Sequence, residues 1–282
     1  MKYQIKNNFI TATFNSKGAE LISLKSSQIE YIWNGNPEFW SKHSPVLFPI
    51  VGTLKNNSYM YDGKNYTLTR HGFSRDMEFV TLESKQKSII FSLKSNSETL
   101  KMYPFDFELR LKYELENQKL RISYQIITNS ETKIPFSIGA HPAFSLPNDF
   151  NNYFLEFNKK ENLLSYSIKN DLISDSTFMI KTQDKKLPLT YSLFENDALI
   201  FKKLNSKTIC ILENEKPLLK IDFDDFPNLG IWTKPNAKFI CIEPWFGYSD
   251  TNNCSGKIIE KEGIQFANRN KPFYCSFTIE IL

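Results

Sequence analysis

Alternation with a period of two residues, repeated in short runs from end to end, is what most narrows the folds open to this chain. In Leu120–Thr128, the apolar residues Leu120, Ile122, Tyr124 and Ile126 alternate with Arg121, Ser123 and Gln125. Successive side chains of a strand point to opposite faces, so this run has one face for a core and one for water. The same pattern carries Phe277, Ile279 and Ile281 in the tail Tyr274–Leu282. Gln4–Phe14, Glu20–Leu24, Ser88–Leu93, Phe107–Glu114 and Phe154–Phe157 also read as strands. Turn residues punctuate the runs at Asn34-Gly35, Asp62-Gly63, Pro147-Asn148 and Pro227-Asn228. Asp62-Gly63 separates Ser58–Tyr61 from Asn65–Leu68, as a tight hairpin requires.

Helical signals are confined to Asn36–Ser41 and Ser97–Tyr103, while the polar, less regular Asn158–Asp184 suits peripheral strands and loops. The 24 Phe and 13 Tyr favour a pleated, half-buried surface over helices. The expected fold class is all-β, a large antiparallel β-sandwich with few short helices. Two sheets must pack together, because one open sheet this long would leave an apolar face bare. No linker or composition shift divides the chain, so residues 1–282 are expected to form a single domain.

Several function classes fall away. The 35 basic and 31 acidic residues are interspersed, leaving no basic stripe for nucleic acid. No run approaches the roughly 18 apolar residues of a membrane span, so no membrane partner is expected. The start, MKYQIKNNFI, lacks the apolar core of a signal peptide, which points to the cytoplasm. There the four cysteines, Cys210, Cys241, Cys254 and Cys275, would stay reduced as buried thiols. They form no Cys-x-x-Cys pair and have no histidine close in sequence, so no metal site is expected.

Three segments carry possible chemistry. His71 opens His71-Gly72-Phe73-Ser74-Arg75-Asp76. His141 lies in Gly139-Ala140-His141-Pro142-Ala143-Phe144, where the small residues leave a gap that suits close approach by a ligand. A hydrogen-bonded core histidine is the plain alternative for either. In Phe239-Ile240-Cys241-Ile242-Glu243-Pro244-Trp245-Phe246-Gly247, an apolar strand delivers Glu243 among hydrophobic neighbours. Desolvation there would raise its pKa toward that of a useful general base. Trp245 could face the C–H side of a sugar ring, and a strand-end carboxylate paired with a lysine is the alternative for Glu243.

Taken in order, these segments resemble the aldose 1-epimerase (galactose mutarotase-like) family, in particular its LacX-like bacterial branch. A fourth run, Phe39-Trp40 and Ser44-Pro45-Val46-Leu47-Phe48-Pro49-Ile50-Val51-Gly52, adds to the likeness. The resemblance implies a β-supersandwich with a sugar groove across one sheet and no metal or organic cofactor. By motif, Glu243 looks like the general base, His141 like the general acid and His71 like a second, substrate-contacting histidine. An acid and base on opposite sides of a cyclic hemiacetal would open the ring, and reclosure would give the other anomer.

The chain departs from relatives at Thr53, where an arginine often contacts sugar oxygens; Arg70 or Arg75 would supply the cation instead. The family's further sugar-binding acid has no clear match, with Asp222, Asp224 and Asp225 in the right region. A small-molecule sugar is the expected partner, and the protein itself is expected to be a monomer or homodimer. Two rival functions stay open: 1-epimerisation of a hexose 6-phosphate, and a non-catalytic carbohydrate-binding or sensor protein.

Overall fold

The computed structural model describes residues 1–282. Two large sheets dominate. One has nine strands in the order Lys186–Pro188, Tyr153–Phe157, Thr208–Glu213, Lys216–Asp222, Phe273–Ile281, Lys119–Ile127, Glu108–Glu116, Ser88–Lys94 and Val80–Ser84. The other runs Leu172–Met179, Leu164–Lys169, Leu199–Phe201, Asn228–Trp232, Phe239–Phe246, Ile138–Ala140 and Val46–Leu47, with Ala143–Ser145 also paired to Phe239–Phe246. Their ladders are antiparallel throughout. A four-stranded sheet, Lys2–Glu30, the hairpin Ser58–Tyr61/Lys64–Thr67 and the long-range pair Ile134–Phe136/Gln265–Ala267 complete the fold.

The alternation works as the sequence implies. Leu120, Ile122, Tyr124 and Ile126 are all buried, as are Cys275, Phe277, Ile279 and Ile281 on the neighbouring strand. These residues join a core cluster of 63 buried hydrophobics drawn from both large sheets and from the N-terminal one. Burial of that apolar surface is the main force holding the sheets together. Aromatic pairs such as Phe48–Phe107, with ring centroids 5.1 Å apart, fill the space between layers.

Asp62-Gly63 turns the hairpin Ser58–Tyr61/Lys64–Thr67, both residues having positive φ as a two-residue turn demands. Three expectations need correction. Gln4–Phe14 is not one strand but a hairpin of Lys2–Lys6 and Thr11–Asn15. The reason is local: Asn7 Oδ1 accepts the amides of Phe9 and Ile10 and folds the chain back. Asn36–Ser41 makes a single turn, with the Phe39 and Trp40 amides both on the Asn36 carbonyl, and no helix follows. Cys210 and Cys254 are only half-buried, while Cys241 and Cys275 are buried; all four are free thiols. Ser97–Met102 is helical, started by a capping box between Asn96 and Thr99. Asn158–Asp184 contains the hairpin Leu164–Lys169/Leu172–Met179 at the rim of the second large sheet. No helix is long and apolar enough to cross a membrane.

Candidate active site

The strand Phe239–Phe246 divides its residues by parity. Ile240 and Ile242 enter the main core, while Cys241, Glu243 and Trp245 share the opposite face. Above that face lies a cavity of about 530 Å³. All six residues singled out in the sequence, Glu243, His141, His71, Arg75, Arg70 and Trp245, line it.

Glu243 and His141 come from adjacent strand regions and meet directly. His141 Nε2 lies 3.2 Å from Glu243 Oε2, and the two residues are 8% and 1% exposed. Burial pushes the Glu243 carboxyl well above the usual 4.5, with Arg70 opposing and Asp197 reinforcing. Burial also lowers His141 to about 3; its own carbonyl opposes that shift, and Arg70 and Arg75 reinforce it. Both shifts favour the neutral forms of the two groups. His141 is held by a stack on Trp40, with centroids 4.8 Å apart and planes at 26°, and by the edge of Trp232. Trp40 is fixed in turn by the Trp33 indole N–H, which donates to its carbonyl at 2.8 Å.

His71 occupies the left-handed backbone region at φ +69°. Its amide donates to the Gly52 carbonyl at 2.8 Å, and its Nδ1 accepts the Gly52 amide at 3.0 Å. A non-glycine residue in this region is held against strain by such contacts and is more frequent at functional sites. Gly72 follows at φ +71°, where any side chain would collide with the Phe48 carbonyl. Burial keeps His71 well below 6.5, reinforced by His141 and the two arginines.

The gap beside His141 has another use than the one expected. A Cβ on Gly139 would lie 2.6 Å from Trp245 Cδ1, and one on Gly230 would strike the benzo ring of the same side chain. Gly139 pairs with Trp245 across one ladder and Gly230 with Glu243 across the other. The small residues thus admit the Trp245 indole, not a ligand. Its Nε1 is buried and makes no full hydrogen bond.

Arg70 reaches Asp171 at 3.2 Å and Asp197 at 3.7 Å, and its Nε–H donates to His71 Nε2 at 3.3 Å. Arg75 donates to the Arg70 carbonyl at 2.8 Å and lies 3.6 Å from Asp76. Both arginines therefore border the cavity where Thr53 does not. Thr53 instead ties the floor together, its amide bonding Ser249 Oγ and its carbonyl accepting the Asp250 amide. The acid in the cavity wall is Asp197, not Asp222, Asp224 or Asp225. Asp222 ends a strand of the nine-stranded sheet, and Asp225 accepts the Ser276 amide on that side of the molecule. Trp232 is the other notable addition; its place two residues after Gly230 on the same strand, and so on the same face, is the signal that would have found it. Asp197 sits in a turn with no comparable periodicity.

His141, Cys241 and Glu243 also bring three metal-capable atoms within 4.8 Å of one another, an arrangement made by sheet pairing and invisible in sequence spacing. Burial and the neighbouring Glu243 raise the Cys241 thiol well above 9.0, which favours the protonated form that does not ligate metals.

A buried carboxyl against an imidazole, with a second histidine and two arginines around one cavity on a large antiparallel sandwich, is an arrangement suited to acid–base chemistry on a polar ring. Residues 1–264 match the aldose 1-epimerase family, and the chain belongs to it. It is 38% identical over 281 aligned positions to the chromosomal Protein LacX of Lactococcus lactis, covering 92% of each chain. The plasmid-borne Protein LacX of that species matches at the same identity and coverage. A galactose mutarotase related enzyme from Lactobacillus acidophilus superposes with a TM-score of 0.94 at 34% identity, covering 100% of this chain and 97% of that one. A galactose mutarotase-like protein from Lactobacillus casei gives 0.93 at 27% identity, with 100% of both chains covered.

Proposed function

We propose that this protein is a mutarotase, interconverting the α and β anomers of a hexose by acid–base ring opening, with residues 1–282 acting as one catalytic domain. The observation that carries this reading is the 3.2 Å contact between His141 Nε2 and Glu243 Oε2 inside a sugar-sized cavity. The sequence reading asked for groups on opposite sides of the hemiacetal. Side-by-side placement serves as well, because the two oxygens that exchange protons are both bonded to the anomeric carbon.

The pair holds one proton, on Glu243 or on His141. Moving it to His141 yields the carboxylate base and imidazolium acid that ring opening needs, without taking a proton from solvent. Glu243 then removes the proton from the anomeric hydroxyl while His141 protonates the ring oxygen. The bond from C1 to the ring oxygen breaks and a carbonyl forms at C1. After rotation about C1–C2, the hydroxyl attacks the other carbonyl face; His141 takes its proton back and Glu243 returns one to the anomeric oxygen. Arg70 Nε and His71 Nε2 lie 3.3 Å apart on the cavity wall, so one sugar hydroxyl can reach both. Trp245 and Trp232 offer apolar faces to the ring.

A neutral sugar is favoured over a hexose phosphate. Arg70, Arg75 and Lys234 line the cavity, but both arginines are already engaged by Asp171, Asp197 and Asp76. A purely sugar-binding protein would have no use for a carboxyl buried against an imidazole, an arrangement that costs stability. The test is polarimetry of freshly dissolved α-glucose and α-galactose. Wild type should accelerate mutarotation, and His141→Ala and Glu243→Gln should each lose roughly a thousandfold in kcat/KM while staying folded. Acceleration that survives Glu243→Gln would rule out this mechanism, and acceleration of glucose 6-phosphate alone would move the assignment to the phosphorylated sugar.

A further inference from the structure

Beside the cavity at Glu243 lies a second one of about 540 Å³. Asp197 and Ala198 line both, so this segment borders the two hollows. The rim hairpin Leu164–Lys169/Leu172–Met179 and the turn Tyr191–Phe194 build the walls of the second. Tyr166, Ile168 and Phe178 give it aromatic and aliphatic surface, while Ser167, Ser192 and Asn196 give it short polar groups. Phe178 is 41% exposed and its neighbour Met179 60%, so this wall presents open apolar surface. Tyr166 is steadied by the Lys202 ammonium, 4.4 Å from its ring centroid.

These walls suit a ring with C–H faces and hydroxyl edges. A phosphate would need several cations, and Lys181 is the only one here. An acyl chain would leave the serines and the asparagine unmatched. We propose that the substrate is a reducing oligosaccharide, its reducing-end hexose at Glu243 and its next sugar unit in this second cavity. The proposal rests on the mutarotase reading and adds the substrate class. Anomer exchange needs only a free anomeric hydroxyl, so a glycosidic link elsewhere on the reacting hexose is left intact. Binding energy from the second unit can then be used to position the first.

Asp197 stands at the border. It holds φ +83°, its Oδ1 accepts the Ala198 amide at 2.7 Å, and its Oδ2 faces Arg70 at 3.7 Å. A carboxylate fixed there can accept hydroxyl hydrogens from both units.

The experiment compares anomer exchange of glucose with that of maltose and cellobiose by exchange NMR, using wild type, Ser192→Trp and Phe178→Ala. Ser192 and Phe178 line only the second cavity, and both are exposed, so the variants should fold. Wild type should favour at least one disaccharide over glucose by about tenfold in kcat/KM, and both variants should remove most of that advantage while changing glucose by less than about twofold. Equal rates for glucose and both disaccharides, or variants that slow all three sugars alike, would overturn the proposal and leave the mutarotase reading intact. If no sugar is accelerated, the mutarotase reading fails. Calorimetric titration of maltose and cellobiose into wild type and Ser192→Trp then decides the second cavity separately: binding lost in the variant supports it, and equal or absent binding refutes it.

Discussion

Ile242 and Glu243 are neighbours on one strand, and both are almost wholly buried, at 0% and 1% exposure. Their energetic roles are opposite. Ile242 faces the 63-residue core, where removal from water is favourable. Glu243 faces the cavity beside His141, where removal from water raises its pKa and costs stability. The two faces of this sheet thus divide the labour: one holds the molecule together and the other keeps reactive groups in states they would not adopt in water.

Three substitutions would break or sharpen that division. Ile242→Ala should lower stability by about 3 kcal/mol in denaturant unfolding, while the folded fraction keeps its mutarotation rate within about twofold. Loss of activity without loss of stability would show that the core face also tunes the site. Gly139→Ala sits between the two cases, since its Cβ would press on Trp245 beneath the cavity. It should cost about 1–3 kcal/mol and lower kcat/KM about tenfold, and unchanged kinetics would mean that Trp245 can shift without disturbing Glu243.

The smallest effect is expected from Glu243→Gln on stability, and it depends on pH. A carboxyl with a raised folded pKa stabilises the fold fully below its ordinary value of 4.5, and that contribution is lost as pH rises through the folded value. Gln cannot ionise, so the variant should melt a few degrees above wild type at about pH 8, with the gap closing toward acid. A gap that instead widens on acidification would show that Glu243 is ionised and stabilising in the folded protein.

Much of this architecture was legible because strands and motifs are local. Period-two alternation identified the core face of Lys119–Ile127, and three separated motifs supplied His71, His141 and Glu243, all of which line one cavity. What escaped was decided by pairing between distant strands. Gly139 gives no sign in sequence that its partner is Trp245, so its empty side was read as room for a ligand. Asp222 lies close to Glu243 in chain order but belongs to the other large sheet. Asp197 reaches the cavity from a turn after Tyr191–Phe194, with positive φ and no periodic pattern to expose it. The gap in Gln4–Phe14 was available in principle, since Asn7 is a turn former, but the flanking alternation concealed it.

The packing around His141 also has an optical side. Of the four tryptophans in the chain, Trp40, Trp232 and Trp245 line the cavity, and Trp33 is hydrogen-bonded to Trp40 from behind. Nearly all of the indole emission of this molecule therefore originates within reach of a bound sugar. The protein carries its own fluorophore at the place where occupancy matters, and any ligand that enters will be seen without a label.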